Sequence, residues 1–194
     1  MSNSTGLKLF GQGEWNEERY RRHRRSWRKL HVAIDADTGE IVANALTEND
    51  TDDIGEVPRL LELIDGEITD FIADGAYDGE RVYKAVARQQ HDPPPDVVIP
   101  PRASAVLSTD STDRQSQRDR HIRMIAEKGR MGWQKATGYG RRSLVETAIG
   151  RYKHSIGSTL CARSLATQQG EVAIAVRALN RMIDVAKPFS VRVT

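Results

Sequence analysis

Between residues 30 and 99, short apolar runs of strand length alternate with two amphipathic stretches of helix length. That alternation constrains the fold more than any other feature, because a strand carries a two-residue period and a helix a 3.6-residue period. Val32 and Ile34 precede Asp37-Thr38-Gly39, and Ile41, Ala43 and Ala45 follow. The pattern predicts a β-hairpin over residues 30–47. Asp52 or Asp53 caps a predicted helix whose apolar face is Ile54, Val57, Leu60, Leu61 and Ile64, closed by Gly66. A short strand is predicted over residues 68–73, stopping at Asp74. Asp78 then reads as the cap of a helix through Val82, Tyr83 and Val86, which Pro93-Pro94-Pro95 ends.

Val97-Val98-Ile99 is a further buried strand, and residues 100–115 turn to Ser, Thr, Asp and Pro, as a surface loop does. Helical patterning resumes from Ser116 through Trp133, so residues 100–137 read as an insertion of loop and helix. A last helix is predicted over residues 166–186, with Val172, Val176, Leu179 and Ile183 on one stripe. Residues 4–15, with Leu7, Leu9 and three glycines, read as a strand end and a turn. Strands joined by crossover helices imply an α/β domain with a mixed sheet. At 194 residues the chain suits one domain spanning 1–194.

Composition removes whole classes of function. A 38% hydrophobic and 29% charged chain with no long apolar run is neither a membrane protein nor too polar to fold. No basic start followed by an apolar stretch marks a secretory leader, so a cytoplasmic location is expected. Cys161 is the single cysteine, which excludes an internal disulfide. The net charge of +2 conceals a local excess: residues 19–29 hold Arg21, Arg22, Arg24, Arg25, Arg28 and Lys29 among Tyr20, His23 and Trp27. Guanidinium forks and stacking aromatics suit nucleic acid, and the same composition suits a solvated loop.

Tyr139, Arg142, Glu146 and Lys153 fall at offsets of zero, three, seven and fourteen. On one helix they would share roughly 60° of arc. Val145, Ile149, Tyr152 and Ile156 form an apolar stripe beside them. A carboxylate flanked by cations at the border of a buried face suits metal-assisted phosphoryl transfer, while the Arg142–Glu146 spacing also serves an ordinary surface ion pair. The second landmark is the run from Ile72 to Asp78, in which an apolar strand presents Asp74 at its end.

The four residues match the Y-(2)-R-(3)-E-(6)-K signature of bacterial insertion-sequence transposases of the aspartate-aspartate-glutamate class, and the chain resembles that family over nearly its whole length, most of all the insertion-sequence-five group. The resemblance implies a ribonuclease-H-like fold, magnesium or manganese as cofactor, double-stranded DNA (element ends and target) as partner and a homodimer as candidate assembly. It also implies metal ligation by Asp74 and Glu146, with Tyr139, Arg142 and Lys153 on the DNA. The opening Asn3-Ser4-Thr5-Gly6-Leu7-Lys8 is similar to the segment that starts with the family's first catalytic aspartate, and here position 3 is asparagine. The gaps of 71 residues from position 3 to Asp74 and 72 from there to Glu146 fit an interrupted core of this kind.

Three acids are needed to clamp two divalent ions, and an amide oxygen brings no charge to that cluster. Asp35 and Asp37 stand in a hairpin turn and read as turn residues. The resemblance further implies that a family member has most of its first strand and a DNA-binding region ahead of position 3. The expectation is a weakened or inactive catalytic domain, with a non-catalytic DNA-binding protein as the alternative.

Overall fold

The computed structural model describes residues 1–10, 27–89, 93–108 and 116–186. Six strands and five α-helices follow in chain order among them. They are β1 (Ser2–Leu9), β2 (Trp27–Ile34), β3 (Ile41–Glu48), α1 (Asp53–Glu62), β4 (Asp70–Ile72), α2 (Glu80–Ala87), β5 (Asp96–Val98), α3 (Gln117–Thr137), α4 (Ser143–Ser155), β6 (Thr159–Leu160) and α5 (Leu165–Ala186). Single 3-10 turns at Gly75–Tyr77 and Tyr139–Arg142 precede α2 and α4.

The strands form two sheets. The larger has the order β3-β2-β1-β6, antiparallel across β1, β2 and β3 and parallel between β1 and β6; the smaller pairs β4 with β5 in parallel. The mixed α/β architecture agrees with the alternation in the sequence. The smaller sheet is short because each strand has three residues, although Ala73 N–H still donates to the Val98 carbonyl at 3.3 Å and Asp96 N–H to Thr69 at 2.9 Å.

Alternation along β1 and β2 gives the larger sheet two different faces. Leu7, Leu30, Val32 and Ile34 are buried against Val145, Ala148 and Tyr152 of α4 and Val172, Val176 and Leu179 of α5. The opposite face carries Ala33, Ala43 and Ala45, small enough for Leu60 of α1 to seat on the sheet. Val57 and Leu61 of α1, with Val82 and Val86 of α2, cover Phe71 and Val97 of the smaller sheet.

Local signals placed several boundaries well. Asp52 caps α1 by accepting from Gly55 N–H at 3.1 Å, and Ser116 caps α3 by accepting from Asp119 N–H at 3.2 Å. Other expectations need correction. The α1 helix ends at Glu62 with Leu63 as its cap, before Gly66. Helix α3 runs past Trp133 to Thr137, is interrupted at Gly129 (φ 69°) and stops at Gly138 (φ 66°), two left-handed positions that suit glycine.

His121 of α3 ties that helix to β5. Its Nδ1 accepts from Trp133 Nε1 at 2.9 Å and its Nε2 faces the Val97 carbonyl at 2.7 Å, so the ring must be neutral with its proton on Nε2. Burial lowers the pKa of His121, and burial likewise lowers that of His31 against the opposing charge of Asp53. Each therefore binds fewer protons folded than unfolded. The stability they contribute is complete above the ordinary histidine value of about 6.5 and declines as pH falls below it toward the depressed folded values. The thermal midpoint should drop by several degrees between pH 7 and 5.5, and by less in a His121→Phe variant. A flat profile over that window would contradict this account.

Candidate functional site

Asp74 directly follows the smaller sheet, where it begins the 3-10 turn. One oxygen, Oδ1, accepts from Ala76 N–H at 2.8 Å, an ordinary capping role; the other, Oδ2, faces Arg142 Nη2 at 3.5 Å. Arg142 stands at the amino end of α4, one turn before Glu146, and its Nη1 donates to Glu146 Oε1 at 2.5 Å. One guanidinium thus spans two acids 72 residues apart in sequence. The two contacts and the width of the fork put the carboxylate oxygens within about 8 Å of each other.

The packing beneath the acids explains why they meet. Ile72, Val98 and Trp133 form a small cluster, joined by Met1 and Tyr139 at its edge. Met1 lies two residues before Asn3 and Ile72 two residues before Asp74, so one apolar patch anchors both strands. The Tyr139 ring lies 5.1 Å from that of Trp133, and its phenol is held above its ordinary pKa by burial first, with Asp74 and Glu146 adding to the effect. Tyr139 and Arg142 belong to the 3-10 turn, not to α4 as the shared-arc geometry assumes. Gly138 breaks the helix ahead of them, and the turn swings Arg142 toward Asp74. Lys153, two helical turns beyond Glu146, is half-buried and makes no ion pair among the described residues. Of the expected stripe, Val145 and Tyr152 are buried and Ile149 partly so, whereas Ile156 is exposed at the end of α4.

Asn3 pairs with Val32 in mid-strand and shares its face of β1 with Leu7, the face that α4 and α5 cover. Its Oδ1 accepts from Ser4 N–H at 2.8 Å. No hydrogen bond or ion pair joins it to Asp74 or Glu146 among the described residues. On the other face of the sheet, Ser2 Oγ, His31 Nδ1, Asp53 Oδ1 and Tyr77 OH are buried without hydrogen-bond partners, and His31 Nδ1 lies 3.3 Å from Asp53 Oδ1.

Lys29 is held by the amino end of α1. It donates to the Thr51 carbonyl at 2.7 Å and approaches Asp53 at 3.6 Å. Arg28 bonds Gln168 and Glu48. Arg21, Arg22, Arg24 and Arg25 lie outside the described residues. Asp35 accepts from the Asp37 and Thr38 amides, as a turn residue does, and Asp37 pairs with Arg141.

Asp78 is not the cap of α2, since Gly79 holds that position. Its side chain is fully buried, pairs with Arg118 at 2.8 Å (Nε to Oδ1) and 3.1 Å (Nη2 to Oδ2), and accepts from Arg102 N–H at 3.0 Å. Nothing in the sequence around Asp78 names an arginine 40 residues away.

A family model for the transposase DDE domain matches residues 3–181. The chain belongs to this family. No solved structure matches the domain. Transposases of this family act on DNA and generally use divalent metal ions. In this transposase domain no group of three histidine, cysteine or acidic side chains suited to a metal converges among the described residues. Two carboxylates do converge. A pair of hard oxygen donors is chemically suited to a divalent cation. No helix is long and apolar enough to cross a membrane.

Proposed function

We propose that this domain carries the phosphoryl-transfer site of a ribonuclease-H-like DNA transposase, one that nicks element ends and joins the resulting 3′ hydroxyl to target DNA. The observation that carries this reading is the convergence of Asp74 and Glu146 on a single guanidinium. Two carboxylates from different elements repel one another unless a cation stands between them.

In this reading Asp74 and Glu146 would hold one divalent ion, magnesium or manganese, whose contribution when bound would be Lewis-acid polarisation of a phosphoryl oxygen. Tyr139, Arg142 and Lys153 position the phosphodiester. Arg21, Arg22, Arg24 and Arg25 contact backbone phosphates, which orients the duplex without reading its sequence. Asn3 occupies the place of a third ligand; its amide oxygen is of the right hardness but carries no charge. The site is accordingly a one-ion site, weak in catalysis. Two copies acting on two element ends form the working assembly.

The test is manganese binding by calorimetry, followed by nicking of a duplex. Asp74→Asn and Glu146→Gln should each weaken manganese binding by about tenfold or more. Unchanged affinity in both variants would dismiss the metal site. The neutral Asn3 favours a second reading, a DNA-binding protein without catalysis. Salt-dependent duplex binding with no nicking at saturating manganese would select it.

A further inference from the structure

The guanidinium of Arg142 stands where an ion shared by Asp74 and Glu146 would draw its ligands. A fork normally engages one carboxylate with two parallel bonds. Here it is divided instead, one nitrogen at 2.5 Å from Glu146 and the other at 3.5 Å from Asp74. Its third nitrogen, Nε, is buried without a partner. A buried donor left unmade keeps its desolvation cost, so the arrangement satisfies the acids better than it satisfies the arginine. The arginine side chain is 21% exposed, against 56% for Glu146 and 30% for Asp74, so the acids remain open to solvent on their outer side.

We propose that Arg142 is a built-in counter-ion that competes with the divalent ion for Asp74 and Glu146, and that a DNA phosphate relieves the competition by drawing the guanidinium away. The proposal rests on the metal-site reading above and adds to it a coupling between two ligands. Without DNA, the fork neutralises the acid pair and holds metal affinity down. A phosphodiester offers the same fork two anionic oxygens and gives Nε an acceptor, so the guanidinium changes partner. The acids are then free for the ion. Linkage makes the effect reciprocal, and metal must tighten DNA binding by the same factor. The domain thereby loads metal preferentially when its substrate is in place.

The sign of one substitution separates this from a supporting role. Manganese binding is measured by calorimetry on the natural chain, Arg142→Ala and Arg142→Gln, each with and without a short duplex. The expected result is affinity at least about fivefold tighter in both variants without DNA. Added duplex should then tighten manganese binding more in the natural chain than in either variant. Weaker binding in the variants, with Asp74→Asn still weaker, would overturn the counter-ion role while leaving the metal site intact. Affinity indifferent to Asp74→Asn and Glu146→Gln would remove the metal site itself. Should both Arg142 variants fail to fold, the natural chain decides: the Arg142 Nε–H signal in nitrogen-edited NMR should move on saturation with diamagnetic magnesium. A signal that stays in place at saturation refutes the competition.

Discussion

Asn3→Asp is expected to tighten manganese binding by about thirtyfold. Two unit charges 4 Å apart interact by about 1 kcal/mol even in water, so a carboxylate at position 3, placed as the third ligand that the proposed function assigns there, would gain about 2 kcal/mol from a dication at the least favourable dielectric. At about 1.4 kcal/mol per decade this gives the stated factor. The substitution keeps volume and preserves the acceptor for Ser4 N–H, which Asn3 Oδ1 already provides at 2.8 Å. Position 3 is also well held, because β1 pairs with β2 from Ser2 through Lys8.

A second consequence runs the other way. With position 3 at the proposed metal site, a carboxylate there would repel Asp74 and Glu146 in the absence of metal, so the thermal midpoint of the metal-free variant should fall below that of the natural chain. Saturating manganese should then raise it by more than in the natural chain, because the stabilisation grows with affinity for the folded state. Nicking by the variant is expected to exceed that of the natural chain. Robust nicking by the natural chain, abolished by Glu146→Gln, would show that Asn3 is no defect and that the first ligand lies elsewhere.

Asp78→Ala should lower the stability of the domain by about 3 kcal/mol, toward the low end for breaking a buried ion pair because Arg118 is 28% exposed. The substitution leaves Arg118 without its carboxylate and Arg102 N–H without its acceptor. The loop before α3 is fastened at the same place, since Arg118 also donates to the Val106 carbonyl at 3.2 Å and Asp119 accepts from Ser108. At this size the loss corresponds to a fall of roughly 6–12 °C in the thermal midpoint. A helix cap, the role that the local sequence suggests, would cost only about 1 kcal/mol. The magnitude therefore distinguishes the two. Glu80→Ala, which removes an exposed i,i+4 pair with Lys84 within α2, is the control and should leave the midpoint unchanged. Unfolding in urea, with the slope checked for constancy, gives both values.

Much of the fold was legible because its signals lie between near neighbours. The Asp37-Thr38-Gly39 turn, the Asp52 cap and the apolar period of α5 each follow from residues within four positions of one another. The grouping of Tyr139, Arg142, Glu146 and Lys153 was legible for the same reason, as four residue types at fixed spacing. Its geometry was not. A uniform helix through Tyr139 and Lys153 places Arg142 and Glu146 on one face, and only Gly138, left-handed at φ 66°, shows that a 3-10 turn comes first.

What the sequence by itself determined, then, is which acids and cations are present, and which short elements carry them. Only the tertiary structure decided their partners. Arg142 meets Asp74 across 68 residues and Asp78 meets Arg118 across 40. Neither pairing follows from periodicity or turn chemistry, which act over a few residues, because both depend on how the apolar faces of distant elements pack. Met1, Ile72, Val98, Trp133 and Tyr139 come from five separate segments, and their shared burial sets the two acids on one guanidinium.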